Sequence, residues 1–251
     1  LPAERIAEVG AAVEAGFHED PSGLGGPAGI ALAMPFQPVV DGHYLPEQPL
    51  LAIRAGRGAD VPLLTGTNRD EWNLFALMSP GGIDDPKLME RLERIFGGAH
   101  VVRDAYLASR PGATADQVWN AVLGDATFTI PAVRLVEAHT AAGRAAWQYL
   151  FTWPTPAFGG MVGSCHALEL PFVFDKLDAP GADMLLGGPA GDDLRALSAA
   201  MQEAWLAFAR GEGPGWPQWN AADRAVQRFD LERELVHDPM GGTRPLWEGL
   251  L

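Results

Sequence analysis

The chain has a single cysteine, Cys165, in 251 residues. No intrachain disulfide can form, so a disulfide scaffold is excluded. Positive charge is scarce as well: 18 basic residues face 32 acidic ones, a formal net charge of −14. Lys87 and Lys176 are the only lysines, in a chain rich in Ala and Gly, a usage associated with GC-rich bacterial genomes. Such acidity repels phosphate backbones and anionic lipid surfaces, which argues against nucleic-acid and membrane partners. No apolar run approaches the roughly 18 residues that a bilayer span requires. The N-terminus also lacks the charged-then-apolar pattern of an export signal. The chain begins Leu1-Pro2-Ala3 without an initiator Met, so position 1 is not expected to be the start of translation. Any signal peptide would lie outside this sequence, and a bacterial cytoplasmic setting is expected ahead of a secreted one. Finally, no Gly-x-Ser-x-Gly segment occurs anywhere in the chain. A serine nucleophile on such an elbow would have to come from elsewhere.

What is present is the composition of an ordinary globular chain, 47% hydrophobic and 20% charged, long enough for one large or two small domains. Residues 2–15 are expected to form a helix, with Pro2 in its first turn and Ile6, Val9 and Val13 at helical spacing. Residues 17–45 are Gly/Pro-rich and predict a long irregular connection. A short helix over Gln48–Ala55 and a strand over Val61–Leu64 follow. From Asp84 to Gly143 the periodicity is helical, with one apolar stripe through Leu88, Leu92, Ile95 and Phe96. A second stripe runs through Ile130, Val133, Leu135 and Val136. Ala145–Trp153 has the length and aromatic content of a buried strand, placed centrally because its apolar end needs cover on both faces. Asp192 or Asp193 is expected to cap a long helix reaching about Arg210. The segments AVQRFD and ELVHD predict a terminal hairpin turning around Leu231–Arg233. Strands separated by helical stretches indicate an α/β fold.

Two local patterns carry chemistry. In VPLLTGTNRDEWNLF, from Val61 to Phe75, an apolar run ends in a Gly-Thr-Asn turn that delivers the carboxylate of Glu71. In the second, the run up to Trp153 gives way to a Gly-rich loop that carries His166 in GSCHALELPFVF. An imidazole works as a general base only when held in one tautomer. A buried carboxylate on its Nδ1–H does this and stabilises the imidazolium that forms. The carboxyl ends of strands in an open α/β sheet give both groups the rigid placement this needs.

GTNRDEWNLF resembles the acid motif of type-B carboxylesterases, the family of cholinesterases and bacterial para-nitrobenzyl esterases, and GSCHALELPFVF resembles the histidine motif of that family. PFQPVVDGHYLPEQPL, FTIPAVRLVEAH, WQYLFTW, AWLAFARGEGPGWPQW and RPLWEGL resemble further family blocks in the family's order. The resemblance implies an α/β-hydrolase fold and hydrolysis of carboxylic esters by a Ser-His-Glu triad, with Glu71 as the acid and His166 as the base. Family members are about twice as long. Residues 1–251 therefore look like the C-terminal portion of a single α/β-hydrolase domain, comprising the last strands of its sheet plus a helical cap region. The implied partner is the N-terminal half that carries the serine and the oxyanion hole. The implied substrate is a small-molecule ester, and no cofactor or metal is implied. The chain by itself is expected to be inactive. Leu74 and Phe75 fall at the family's gorge-lining spacing. Phe158 and Met161 lie on the loop leading to His166, where they could wall an apolar acyl or alcohol group. One departure is Trp72, where the motif commonly has Gly, which bears on the local backbone and the pocket shape.

Competing patterns are weaker. Gly23-Leu24-Gly25-Gly26-Pro27-Ala28 loosely matches a dinucleotide loop, but no strand precedes it and Pro27 blocks helix entry. Cys165 is adjacent to His166, and neighbouring side chains seldom converge on one substrate atom. His166 and Glu169 could suggest a metal site, but nothing supplies the other ligands. His237-Asp238 fits a surface pair and Asp41 a turn. The alternative function is a catalytically silent, cholinesterase-like binding module. Retention of both acid and histidine argues against it.

Overall fold

The computed structural model describes residues 2–19, 38–58, 61–78 and 82–250. The Gly23–Ala28 pattern and most of the predicted irregular connection lie outside them. The sheet has four strands in the order β1 (Leu63–Asn68), β2 (Ala146–Phe151), β3 (Ala225–Phe229) and β4 (Glu234–His237). The first three are parallel, with Leu63 opposite Ala146, Asn68 opposite Phe151, and Phe151 opposite Phe229. β4 returns antiparallel from a tight turn and pairs Val236 with Val226, which is the expected hairpin. β2 occupies the predicted inner position.

β1 corrects the sequence reading. It begins at Leu63 and runs on through Gly66-Thr67-Asn68, the segment expected to turn. Its six-residue register with β2 overrides the turn composition, and the glycine has a packing reason instead. A Cβ on Gly66 would collide with the ring and carbonyl of Tyr149 on the neighbouring strand. Gly66→Ala is therefore expected to lower stability by about 1–3 kcal/mol through overpacking, read as a drop in the urea midpoint.

The helical elements are α1 (Ala3–Glu19), α2 (Pro49–Arg54), α3 (Asn73–Met78), α4 (Asp85–Phe96), α5 (Ala99–Ser109), α6 (Ala115–Gly124), α7 (Ile130–Ala141), α8 (Leu170–Val173), α9 (Ala182–Leu186) and α10 (Asp192–Ala209). Their ends follow local rules. Gln48 caps α2 through Leu51 N–H at 2.9 Å, and Asp84 caps α4 through Lys87 N–H at 3.0 Å. Thr114 and Gln117 form a reciprocal capping box on α6. α10 departs from expectation: its cap is the extended Gly191, and Asp192 and Asp193 lie inside the first turn. There they complement the helix dipole, and Asp193 Oδ1 accepts the N–H of Leu194 at 2.9 Å. Ile6 and Val9 of α1 remain exposed.

Two large cores hold the helices, the second of them against the sheet. α4–α6 bury Leu88, Leu92, Val102, Tyr106, Val118 and Val122 together with Trp247 from the C-terminal turn. α8–α10 bury Phe172, Leu186, Leu194 and Met201 against Phe151 and Phe229. α7 lies on the opposite face, where Val136 meets Ala146 and Trp219. Between α6 and α7 the helix continues as one π turn, Asp125–Thr129. No helix among the described residues is long and apolar enough to cross a membrane.

A candidate acid–base site at the ends of two parallel strands

Because β1 and β2 are parallel and in register, the loops after them leave the sheet at the same edge. Asn68 and Phe151 end the two strands side by side. Glu71 follows β1 by one turn, and His166 sits in the loop between β2 and α8. His166 Nδ1 lies 2.7 Å from Glu71 Oε2. The other carboxylate oxygen, Oε1, accepts the backbone N–H of Asn68 at 2.7 Å. Burial pushes the Glu71 carboxyl above its ordinary range, while the Asn68 N–H and the imidazole pull it back down. The His166 side chain keeps 41% of its surface, against 8% for Glu71. With Nδ1 donating to the carboxylate, Nε2 is left as the basic, solvent-reachable nitrogen.

Asn68 is the junction of the two loops. Its side-chain amide donates to Cys165 O at 2.6 Å and to Glu169 Oε2 at 2.5 Å. Glu169 thus braces the acid strand, and no group of three or more metal-ligating side chains occurs among the described residues. Cys165 is fully buried in the second core, and burial pushes its thiol up to about 11. A group in that state is a poor nucleophile. His237 and Asp238 turn away from each other, to Asp223 at 2.9 Å and Arg244 at 3.1 Å. Asp41 accepts the N–H groups of His43 and Leu45 at 2.9 Å, which makes it a turn residue.

Two aromatic rings flank the imidazole. Phe75 lies 5.2 Å and Phe128 4.9 Å from it, centroid to centroid, and the two phenyl rings stack at 6.1 Å. Trp72 extends the aromatic wall at 5.2 Å from Phe75 and has no left-handed backbone, so the position needs no glycine. Leu74 separates from its neighbour and packs into the second core. Phe158 and Met161 are exposed on the loop before His166, at 41% and 67%. Phe128 was not among the expected residues. It lies in the π turn, whose extra backbone residue rotates the following side chains, and no helical periodicity in the sequence marks it.

The model of the Carboxylesterase family matches residues 22–240. Para-nitrobenzyl esterase of Bacillus subtilis (strain 168) is 33% identical over 83% of this chain and 42% of its own length. Phenmedipham hydrolase of Pseudarthrobacter oxydans is 26% identical over 84% of the chain and 44% of its own. Among solved structures, a Geobacillus stearothermophilus carboxylesterase superposes with a TM-score of 0.73 at 30% identity, over 84% of this chain and 45% of that one. The chain therefore spans somewhat under half the length of the relatives it matches.

Proposed function

Since this chain belongs to the carboxylesterase family and has part of its α/β-hydrolase fold, we propose that it supplies the acid and base of a Ser-His-Glu triad that hydrolyses carboxylic esters. The 2.7 Å contact between His166 Nδ1 and Glu71 Oε2, with Nε2 facing outward, carries this reading. Nε2 takes the proton of a serine hydroxyl as that oxygen attacks the ester carbonyl, then returns it to the leaving alcohol. Glu71 fixes the Nδ1–H tautomer and balances the imidazolium. Water then repeats the sequence on the acyl-enzyme and releases the acid. No metal or organic cofactor enters these steps.

The serine and the oxyanion donors come from an N-terminal segment that is not in this chain. The outer edge of β1 has no partner strand among the described residues, and an unpaired parallel edge of this kind fits a strand from that segment. Residues 1–251 thus act as one portion of a single catalytic domain. Phe75, with Phe158 and Met161 at the mouth, would contact the acyl or alcohol group, and Leu74 would support them from the core side.

The test is para-nitrophenyl acetate hydrolysis by the 251-residue chain alone and joined to a segment bearing Gly-x-Ser-x-Gly. The joined protein should turn over, and the chain alone should be slower by about 10⁶-fold, the usual cost of losing the nucleophile. Equal rates, or no rate in either, refute the proposal. In the active protein, Phe128→Ala frees one face of the imidazole and should lower kcat about tenfold. That loss is close to 1.4 kcal/mol, the upper range for one aromatic contact. Steady-state kinetics reads it directly.

A further inference from the structure

The residue before the acid makes a set of contacts that the triad does not explain. Asp70 N–H donates to Ser164 O at 2.9 Å, and Ser164 N–H donates back to Asp70 Oδ2 at 3.0 Å. This two-way exchange closes a ring between the acid loop and the histidine loop, two residues before His166. The other oxygen, Oδ1, accepts Arg110 Nη1 at 2.6 Å, while Arg110 Nη2 reaches the carbonyl of Arg69 at 2.8 Å. Arg69 Nε adds a contact to Oδ2 at 3.1 Å. Arg110 stands at the end of α5, so its fork ties the acid loop to the helical layer.

The histidine loop is shaped around this carboxylate. Gly163 has φ +58, and a Cβ there would meet Asp70 Oδ2 at 2.5 Å. Ser164 is anchored from the other side, its hydroxyl donating to Phe151 O at 2.8 Å. Cys165 O is held by the Asn68 amide. The backbone entering His166 is therefore fixed at consecutive residues, and its link at Ser164 depends on a charged side chain whose hydrogen bonds go to Ser164, Arg110 and Arg69.

We propose that Asp70, oriented by Arg110, is a positioning residue that sets where His166 stands against Glu71. This rests on the esterase reading for its kinetic consequence but not for its geometry. Asp70→Asn keeps the shape and presents a donor amide to Arg110, which breaks the grip on one side and loosens the ring at Ser164. A misplacement of about 1 Å in such a site costs on the order of 100-fold.

The experiment uses the joined, ester-hydrolysing protein and two readouts. Asp70→Asn should lower kcat by about ten- to a hundredfold with KM within about twofold. The far-downfield proton resonance of His166 Nδ1–H should exchange with solvent about tenfold faster or more, in step with the kcat loss. Arg110→Lys, which keeps the charge without the fork, should show a smaller change of the same kind. A folded Asp70→Asn protein with unchanged kcat and an unmoved resonance overturns the proposal, as does a fall in stability alone. If Asp70→Asn does not fold, Arg110→Lys decides by the same readings. If the joined protein hydrolyses no ester, the esterase reading fails and the proton resonance still decides the role of Asp70.

Discussion

His166→Ala is expected to reduce ester hydrolysis by the joined protein about 10⁶-fold, the largest effect of any single change considered for this chain. The magnitude follows from triads acting as a unit. Without the base, the serine hydroxyl keeps its proton and the leaving alcohol receives none, so residual turnover comes from binding and oxyanion contacts alone. Glu71→Gln should cost about 10⁴-fold, because the amide presents a donor or a neutral acceptor where the ring needs a carboxylate. The geometry sharpens this expectation. Glu71 is almost fully buried and already shares its second oxygen with the Asn68 N–H, so water cannot replace the lost partner. A double variant no slower than His166→Ala alone would show the two acting through one step. A Glu71→Gln protein within tenfold of wild type would remove the carboxylate from the mechanism. Single-turnover and steady-state kinetics distinguish these outcomes.

The second large effect concerns stability and its pH dependence. Asp125, at the start of the π turn, is buried between helices, and burial raises its carboxyl from 3.8 to about 6. Tyr106 OH donates to it at 2.7 Å, and Trp247 Nε1 donates to that same hydroxyl at 3.1 Å. The folded state therefore holds this proton at a higher pH than the unfolded chain does. The stabilising contribution is fully present below about pH 4 and is lost as pH rises through about 6. Over that window the shift is worth about 3 kcal/mol. Asp125→Asn should abolish this decline, and urea titrations at pH 4, 5, 6 and 7 would show it as a flattened profile. Tyr106→Phe acts the other way. It removes one hydrogen bond from the carboxylate, which keeps those of Thr129 and Thr243, and leaves the Trp247 N–H unpaired, at a cost of about 1–3 kcal/mol at neutral pH and less once Asp125 is protonated. If Tyr106→Phe loses as much stability at pH 4 as at pH 7, the network is neutral packing and this account fails.

The same network bears on the site. Asp125 opens the turn that carries Phe128, and Phe128 covers one face of the imidazole. A buried charge at a π turn is a costly way to shape a helix. Here its hydrogen bond to Tyr106 ties the first residue of the turn to α5. A Cβ added to Gly124, just before it, would meet Glu71 and Trp72 only at ordinary contact distance.

Much of this was legible in local sequence, and the reasons are physical. Glu71 and His166 stand out because each follows an apolar run and a turn within a few residues, so their placement is encoded over short stretches of chain. The hairpin around Leu231 is local as well. The errors share the opposite origin. Gly66-Thr67-Asn68 has the composition of a turn, and pairing with β2, contributed from far along the chain, makes it a strand. Asp192 and Asp193 look like caps until Gly191 takes the extended conformation before them. Leu74 and Phe75 are adjacent on a short helix, and only packing sends one into the core and the other to the imidazole.

From the sequence alone come the family, the α/β-hydrolase fold class, the order of acid before histidine and the absence of a Gly-x-Ser-x-Gly elbow, because each resides in contiguous residues or in composition. The tertiary structure decided what depends on two distant segments meeting. It set the 2.7 Å contact of Glu71 with His166, the ring between Asp70 and Ser164, and the approach of Phe128. A carboxylate and an imidazole many residues apart have no relation until parallel strands in register bring their loops to one edge. That register is a property of the sheet, not of either motif.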